Sequence, residues 1–195
     1  MGGASERPQC DCVLFDIADS ARQAVEYLLA RGHRAIGFCH HGHDKPSDPR
    51  LLAIREVLEQ RGLELPEAWV FSGEVYEANG ARLAQSYLAL QVRPTALIIV
   101  NDVSAATFVH QMQRAGFRVP EDISVVGQDD VPAARYCVVP LTTVSQPVEV
   151  IAERVCDLLL DRLENRYAGP DRTIDIVGQL IERESVARLI VEQAC

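Results

Sequence analysis

The sequence predicts an α/β fold in which a parallel β-sheet is covered by helices on both faces. Apolar runs of strand length alternate with amphipathic runs of helix length almost from one end of the 195-residue chain to the other. Runs such as Ala96 to Val100 contain only apolar residues, which is typical of strands that are buried on both faces. Strands that alternate with helices are joined by right-handed crossovers and build a parallel sheet.

The first half of the chain begins with a predicted strand at Val13 to Phe15. The helix that follows runs to Arg31, with Asp19 and Ser20 as the expected N-cap and Gly32 as its stop. The further elements of this half are, in order, a buried strand at 35–39, a loop rich in His and Pro at 40–49, a helix from about 50 to 60 that buries all its leucine, isoleucine and valine residues, a strand at 69–71, and a helix from about 77 to 90.

The second half of the chain contains a turn and a buried strand that end in two acidic residues. Pro120 fixes φ and cannot continue the preceding helix, the run Ile123 to Val126 favours a sheet interior, and Gly127 frees the backbone. Asp129 and Asp130 then follow the strand, at the edge where open α/β sheets bind their ligands. The elements of this half are, in order, a strand at 96–100, a helix at 102–115, strands at 123–127 and 142–144, a helix from about 148 to 167, and one or two strands within 173–185.

Composition and charge exclude several classes of protein. The formal net charge is −9 and the basic residues are scattered singly, so the chain lacks the clustered positive face that clamps a nucleic-acid backbone. The N-terminus has no apolar stretch typical of a secretory signal, and the apolar runs are far shorter than a membrane span. Six cysteines without an export signal are expected to be free thiols. We therefore expect a cytoplasmic protein without a membrane partner.

Several separated motifs carry a resemblance to a known family. The run V-P-E-D-I-S-V-V-G-Q-D-D at 119–130 is followed by P-L-T-T-V-S-Q-P at 140–147, and L-A-R-G-H-R-A-I-G stands at 29–37. Asn101 and Asp102 follow an apolar strand, and I-E-R-E-S closes the pattern at 181–185. In this order the motifs closely resemble the effector-binding domain of the lactose/galactose repressor (LacI/GalR) family of bacterial transcription regulators. The likeness runs from about residue 13 to residue 186.

The resemblance implies a type I periplasmic-binding-protein-like fold, of which this chain represents the C-terminal subdomain. That subdomain is expected to have three layers, a parallel sheet with helices on both faces. Residues 1–12 are expected to be a flexible tail and residues 13–190 the effector-binding domain. Within that domain, about 17–145 and 173–190 would form the C-terminal subdomain. Residues 146–172 would contain a helix of the N-terminal subdomain, whose first half, like the family's helix-turn-helix DNA reader, is not in the sequence.

The helix expected at 148–167 has a wide apolar stripe that would normally pack on that N-terminal subdomain. Exposing several aliphatic side chains is unfavourable, since burial of each contributes about 1.5–3 kcal/mol. We therefore expect either self-association or an altered docking of the helix on the chain's own core. The alternative is that the chain is a fragment of a longer gene product. The stripe consists of Val150, Ile151, Val155, Leu158, Leu159 and Leu163.

Three polar residues match ligand-binding positions of the family. Arg50 corresponds to a loop-to-helix arginine, whose guanidinium offers a fork of donors to hydroxyl pairs or a carboxylate. Asn101 corresponds to an asparagine after an apolar strand; its amide both donates and accepts, and its alternative role is to cap the next helix. Asp129 corresponds to the first acid of the family's acidic pair and can accept hydrogen bonds from hydroxyl or amine donors. Asp130 is expected to tether the loop.

Three further positions are candidates for the wall of the pocket. The family commonly has an aromatic residue five positions before the glycine that corresponds to Gly80, as a platform for the ligand ring. Here that position is Val75, with Tyr76 beside it, so a sugar ring has its usual platform only if Tyr76 turns inward. Val148 corresponds to a position that often lines the pocket.

No catalytic or metal site is expected. His40, His41 and His43 lie close to Cys39 and Asp44, but adjacent residues at a strand end point apart, and no second ligand set is present. The sequence contains none of the nucleophile-elbow, phosphate-loop or zinc-protease motifs. A glycosidase requires two carboxylates that face each other across a bond, and adjacent residues such as the acids of the D-D pair rarely achieve this. We expect no enzyme activity and no cofactor.

The sequence is therefore interpreted as the ligand-sensing domain of a LacI/GalR-type regulator. It would bind a small polar effector, sugar-like or nucleoside, and control DNA binding by an attached helix-turn-helix. By resemblance it would dimerise through its C-terminal subdomain, around Ala133 to Val138 and the helix that begins near Asp102. The first alternative is a stand-alone interaction protein that forms mixed dimers with a full-length homologue. The second is a periplasmic sugar-binding protein, and the third is a metal-dependent enzyme.

Overall fold

The computed structural model describes residues 10–41, 47–73 and 76–189. A six-stranded sheet forms the centre of the molecule, and a two-stranded sheet lies beside it. The strands are, in chain order, β1 (Cys12–Phe15), β2 (Ile36–His41), β3 (Val70–Gly73), β4 (Ala96–Ile99), β5 (Ser124–Asp129), β6 (Thr142–Ser145), β7 (Thr173–Ile176) and β8 (Leu180–Ile181). The helices are α1 (Ile17–Ala30), α2 (Pro49–Gln60), α3 (Tyr76–Ala89), α4 (Asp102–Arg114), α5 (Ala133–Tyr136) and α6 (Val148–Leu163).

The central sheet has the order β3-β2-β4-β5-β6-β8, parallel except for the antiparallel edge strand β8. Successive strand residues point to opposite faces, so each apolar strand supplies both cores. Ile98 packs in the core that α1 and α2 cover, whereas Leu97 and Ile99 pack in the core that α3 and α4 cover. The predicted three-layer α/β fold with a parallel sheet is confirmed.

The second sheet pairs β1 with β7 in parallel, and α6 contacts β1. Asp11 fixes this unit, because its carboxylate accepts hydrogen bonds from the guanidinium groups of Arg162 and Arg172 and from the Arg172 backbone N–H. The ring of Tyr167 lies against both arginines, 4.8 Å and 4.1 Å from their central carbons. Arginine stacks favourably on aromatic rings in this way. The unit therefore has its own polar clasp, separate from the two apolar cores.

Two predicted domain boundaries differ from this arrangement. The expected tail ended at residue 12, but Asp11 is anchored and β1 begins at Cys12; residues 1–9 of the tail lie outside the described residues. The C-terminal subdomain was expected to resume at residue 173, yet β7 belongs to the second sheet, and the chain rejoins the central sheet only at β8.

The apolar face of α6 is uncovered among the described residues. Leu158 is the only buried residue of the helix, whereas most of the predicted stripe is exposed, up to 68% for Leu163. Altered docking of the helix on the chain's own core is therefore wrong. Self-association stays a prediction.

Local features also differ from the sequence-based expectations. Asp16, rather than Asp19 or Ser20, is the N-cap of α1, and its carboxylate accepts a hydrogen bond from the Asp19 N–H at 2.8 Å. Leu52 was expected in the core but is half exposed on α2. The helix expected to run to residue 167 ends at Leu163, and the short helix α5 was not predicted. None of the described helices is both long and apolar enough to cross a membrane.

Candidate functional site

A polar cleft of about 250 Å³ lies at the carboxyl ends of the central strands. Strand β3 is on one side of β2 and β4 is on the other, so the strand order reverses beside β2. Crevices at such a reversal are the usual ligand sites of open α/β sheets. The cleft is lined by Phe15, Ile17, Ser20, His41, Arg50, Tyr76, Val100, Asn101, Gln128, Asp129, Val144 and Gln146.

Arg50 lies at the start of α2, where Asp48 is the N-cap and Pro49 the first helical residue. The Asp48 carboxylate accepts hydrogen bonds from the backbone N–H of Arg50 at 2.9 Å and from its guanidinium Nε and Nη2 at 3.0 Å and 2.9 Å. Burial alone would raise the pKa of Asp48, but the hydrogen bonds from Arg50 outweigh it and lower the pKa. The guanidinium is thus held rigidly at the cleft by one of its edges.

Asn101 caps α4, which is the alternative role considered for it, and its contact with a ligand stays a prediction. Its Oδ1 caps α4 by accepting a hydrogen bond from the Ser104 N–H at 2.7 Å, and the residue also lines the cleft. The amide Nδ2 lies 3.4 Å from Nδ1 of His41, which comes from the end of β2. Burial lowers the pKa of His41, so its neutral ring is favoured. Because the cap uses only Oδ1, the amide NH₂ group of Asn101 can donate a hydrogen bond into the cleft.

Asp129 ends β5 with its backbone in the left-handed region, at a φ of 107°. Burial raises the pKa of its carboxyl to about 6, although the nearby Arg50 acts in the opposite direction. The neighbouring Asp130, with a φ of 55°, does not line the cleft but forms ion pairs with Arg183 and, at 3.2 Å, with Arg135. Two successive residues with positive φ store backbone strain, and strained residues concentrate at functional sites.

Asp102 supports the loop that holds these acids. Its buried carboxylate accepts hydrogen bonds from the Thr143 hydroxyl at 2.7 Å and from the Val131 N–H at 3.0 Å. Burial raises the pKa of Asp102 to about 7, against the opposing effect of the Thr143 bond. Gly127 makes room for it, because a Cβ there would lie 2.1 Å from Oδ1 of Asp102.

The three candidates for the pocket wall have different outcomes. Tyr76 lines the cleft, with a φ of 56° and with its backbone carbonyl accepting a hydrogen bond from the Ser104 hydroxyl at 2.8 Å. Val148 is 60% exposed at the start of α6 and does not line the cleft. Val75 lies outside the described residues.

The cleft also contains residues that the sequence-based prediction omitted, chiefly Gln128, Gln146 and Phe15. Gln146 stands in the P-L-T-T-V-S-Q-P motif, and Gln128 directly precedes Asp129, so both positions had a sequence signal. Phe15 belongs to β1 of the second sheet. Its position at the cleft results from tertiary packing, so no local sequence signal indicated it.

The histidine cluster is divided between two environments. His40 is buried and stacks on Phe38, whereas His41 lines the cleft. The part of the chain that the structure describes contains no group of three or more His, Cys, Asp or Glu residues with metal-binding geometry. His43 and Asp44 lie outside that part.

Comparison with known proteins supports the architecture. Residues 25–186 match the family model for the periplasmic binding protein-like domain. Over 186 residues the chain is 34% identical to the HTH-type transcriptional repressor PurR of Escherichia fergusonii, in a match that covers 95% of the chain and 54% of that protein. The chain thus spans about half the length of the curated relatives it matches.

Comparison with solved structures also finds transcription regulators with this fold. A LacI-type transcription regulator from Bifidobacterium animalis subsp. lactis has a TM-score of 0.83 and 30% identity, with 91% of this chain and 68% of that chain covered. A complex of the transcriptional regulator CelR with cellobiose has a TM-score of 0.82 and 29% identity, with coverages of 91% and 54%. These relatives are transcription regulators, in agreement with the prediction that the chain is not an enzyme.

Proposed function

Because this chain belongs to the LacI family of transcriptional regulators and matches the periplasmic binding protein-like domain over residues 25–186, we propose that its cleft binds a small polar effector. The effector is sugar-like or a nucleoside, and its binding controls an attached helix-turn-helix DNA reader. Such a reader would belong to a longer protein, since the chain spans 54% of the repressor it matches. A domain that controls DNA binding acts in the cytoplasm, where we place it.

The observation that carries the proposal is the convergence of Arg50, Asn101 and Asp129 from three different elements on one cleft. The guanidinium donates, the carboxylate accepts, and the amide offers a donor, so the set matches a ring with several hydroxyl or amine groups. Pockets for drug-sized ligands have volumes of roughly 300–1,000 Å³. The cleft, at about 250 Å³, lies just below this range, which favours a small ligand.

The walls of the cleft suit the same ligand class. Besides the polar residues, the apolar residues Phe15, Ile17, Val100 and Val144 line the cleft. Sugars and nucleosides combine apolar ring faces with polar edges, so both kinds of wall would be used. The similarity to the CelR–cellobiose complex favours a sugar-like ligand.

We place the dimer interface of this regulator at α5 and the segment that follows it. Tyr136 is 85% exposed there, and Val138 is exposed nearby. Large exposed apolar side chains close together are typical of an interaction surface. The relatives are themselves regulators, so no observation favours the alternative of a stand-alone protein that acts through mixed dimers.

The test is a thermal-shift screen with D-glucose, D-ribose, cellobiose and adenosine, followed by calorimetry of any compound that stabilises the chain. A ligand at one hundred times its Kd stabilises the folded state by about 2.7 kcal/mol. The shift should disappear in Arg50→Ala and Asp129→Ala and persist in Arg61→Ala, which removes an exposed arginine at the far end of the same helix. A shift that survives both cleft substitutions would contradict the proposed site.

A further inference from the structure

One polar group of the cleft has no partner in the folded chain. Gln128 precedes Asp129 on β5, pairs with Val144 of β6, and is only 5% exposed. Its amide Nε2 is inaccessible and has no hydrogen-bond partner. Among the described residues, the other buried side-chain atoms in this condition belong to Tyr27, Asn79 and Arg172, and none of these residues lines the cleft.

Three other polar groups that line the cleft are already engaged. The Ser20 hydroxyl donates to the Asp16 carbonyl at 3.1 Å, Oδ1 of Asn101 caps α4, and the guanidinium of Arg50 is held by Asp48. Buried polar groups in folded proteins nearly always have partners, because an unpaired donor keeps the full penalty of its desolvation. Among the described residues that line the cleft, Gln128 is thus the one with a buried side-chain donor that has no partner.

We propose that Gln128 is a specificity-determining residue that selects effectors with a hydrogen-bond acceptor at the inner end of the cleft. The inference rests on the proposed function and names a chemical requirement of its ligand. The terminal torsion of a glutamine amide is broad and roughly two-fold, so rotation about it can turn Nε2 toward a ligand in the cleft. A hydroxyl, ring oxygen or ring nitrogen of the ligand would then accept its hydrogen bond.

The same geometry discriminates against ligands that lack this acceptor. An aliphatic group at the inner end would pack against Val144 and Ile17 but would leave the Gln128 N–H buried and unpaired. Sites built to hydrogen-bond a particular group reject analogues that lack it, because their own polar atoms lose a partner. A loss of about tenfold in affinity is expected for a monodeoxy analogue at the contacted position.

The test is Gln128→Met, which keeps a side chain of similar length but removes the amide. Calorimetry would measure the Kd of the panel compound that binds the wild-type chain and of its deoxy analogues, and urea unfolding would measure stability without ligand. We expect the Kd to rise about tenfold, the preference over one analogue to disappear, and the ligand-free protein to be at least as stable as wild type. Gln91→Met, on an exposed loop at the opposite edge of the sheet, is the matched control.

The outcomes separate this inference from the proposed function. If the wild-type chain binds none of the panel compounds, both fail. If it binds one and Gln128→Met binds that compound and its analogues as the wild type does, only the role of Gln128 fails. A parallel loss of affinity and ligand-free stability would identify Gln128 as a structural residue and also overturn the inference.

Discussion

The raised pKa of Asp129 gives the cleft a defined response to pH. Burial moves this pKa from 3.8 to about 6, so the carboxylate is about nine-tenths ionised at pH 7 and about one-tenth ionised at pH 5. A ligand that donates a hydrogen bond to Asp129 favours the ionised form. Its affinity should therefore rise about tenfold between pH 5 and pH 7 and level off above that.

The raised pKa of Asp129 also makes the stability of the ligand-free protein depend on pH, and this stability falls as pH rises, whereas the ligand affinity increases. The folded state binds the Asp129 proton more tightly than the unfolded state does, so this contribution is fully present below pH 4 and is lost as pH rises through 6. A shift of about two units corresponds to about 2–3 kcal/mol, where the lower value allows for partial exposure of the side chain. Asp129→Asn should thus match wild type at pH 4 and be more stable by up to this amount at pH 7.

Two experiments measure these effects. Calorimetric titration with the ligand gives the affinity from pH 5 to pH 7.5, and urea unfolding of wild type and Asp129→Asn gives the stability difference from pH 4 to pH 7. Asp102 and His41 also titrate near the cleft in both proteins. The charge of Asp129 contributes to the raised pKa of Asp102, so Asp129→Asn should also lower the pKa of Asp102, which adds to the stability difference in the same direction. A wild-type affinity that does not change with pH, or a stability difference that stays constant, would refute the argument.

Three further predictions concern the rest of the molecule. Asp11→Ala removes the clasp between β1, α6 and β7, so hydrogen exchange should accelerate there while the central sheet keeps its protection; uniform acceleration would contradict a local clasp. Leu159→Lys places a charge on the exposed face of α6 and should reduce the mass seen by light scattering if the chain self-associates through that face; an unchanged mass would exclude that mode. Gly127→Ala forces a methyl group against Asp102 and should lower the free energy of unfolding by about 1–3 kcal/mol in urea, and an unchanged value would contradict the close approach.

The fold was predictable because its determinants are local. Continuous apolar strands and amphipathic helices specify a covered parallel sheet with little ambiguity. Boundaries that depend on tertiary contacts were not predictable. Asp16, Asp19 and Ser20 are all good N-cap residues, and Asp16 is in this position because its N–H donates to the Ile176 carbonyl of β7 at 2.8 Å. The sequence near Asp16 contains no sign of that partner.

The candidate site was predictable to the extent that polar residues follow apolar strands. Arg50, Asn101 and Asp129 each stand at the start of a helix or the end of a strand, and parallel strands bring such ends together. Gln128 was missed because a polar residue at a strand end is usually solvated. Gln128 pairs with β6 and lines the cleft together with the start of α1, and both of these elements come from distant parts of the sequence.

The position of the cleft explains how a bound ligand could act on the rest of a regulator. The chain passes between the two sheets three times, after β1, before α6 and between β7 and β8. Phe15 and Ile17 flank the first crossing, and Gln146 lies in the second, so a ligand in the cleft would contact two of the three. A ligand changes an equilibrium only through different interactions with the two states. A ligand that contacts only Arg50 and Asp129 would bind without regulating. A ligand that also contacts the crossings would favour one arrangement of the two sheets over another, and it would therefore act as an effector.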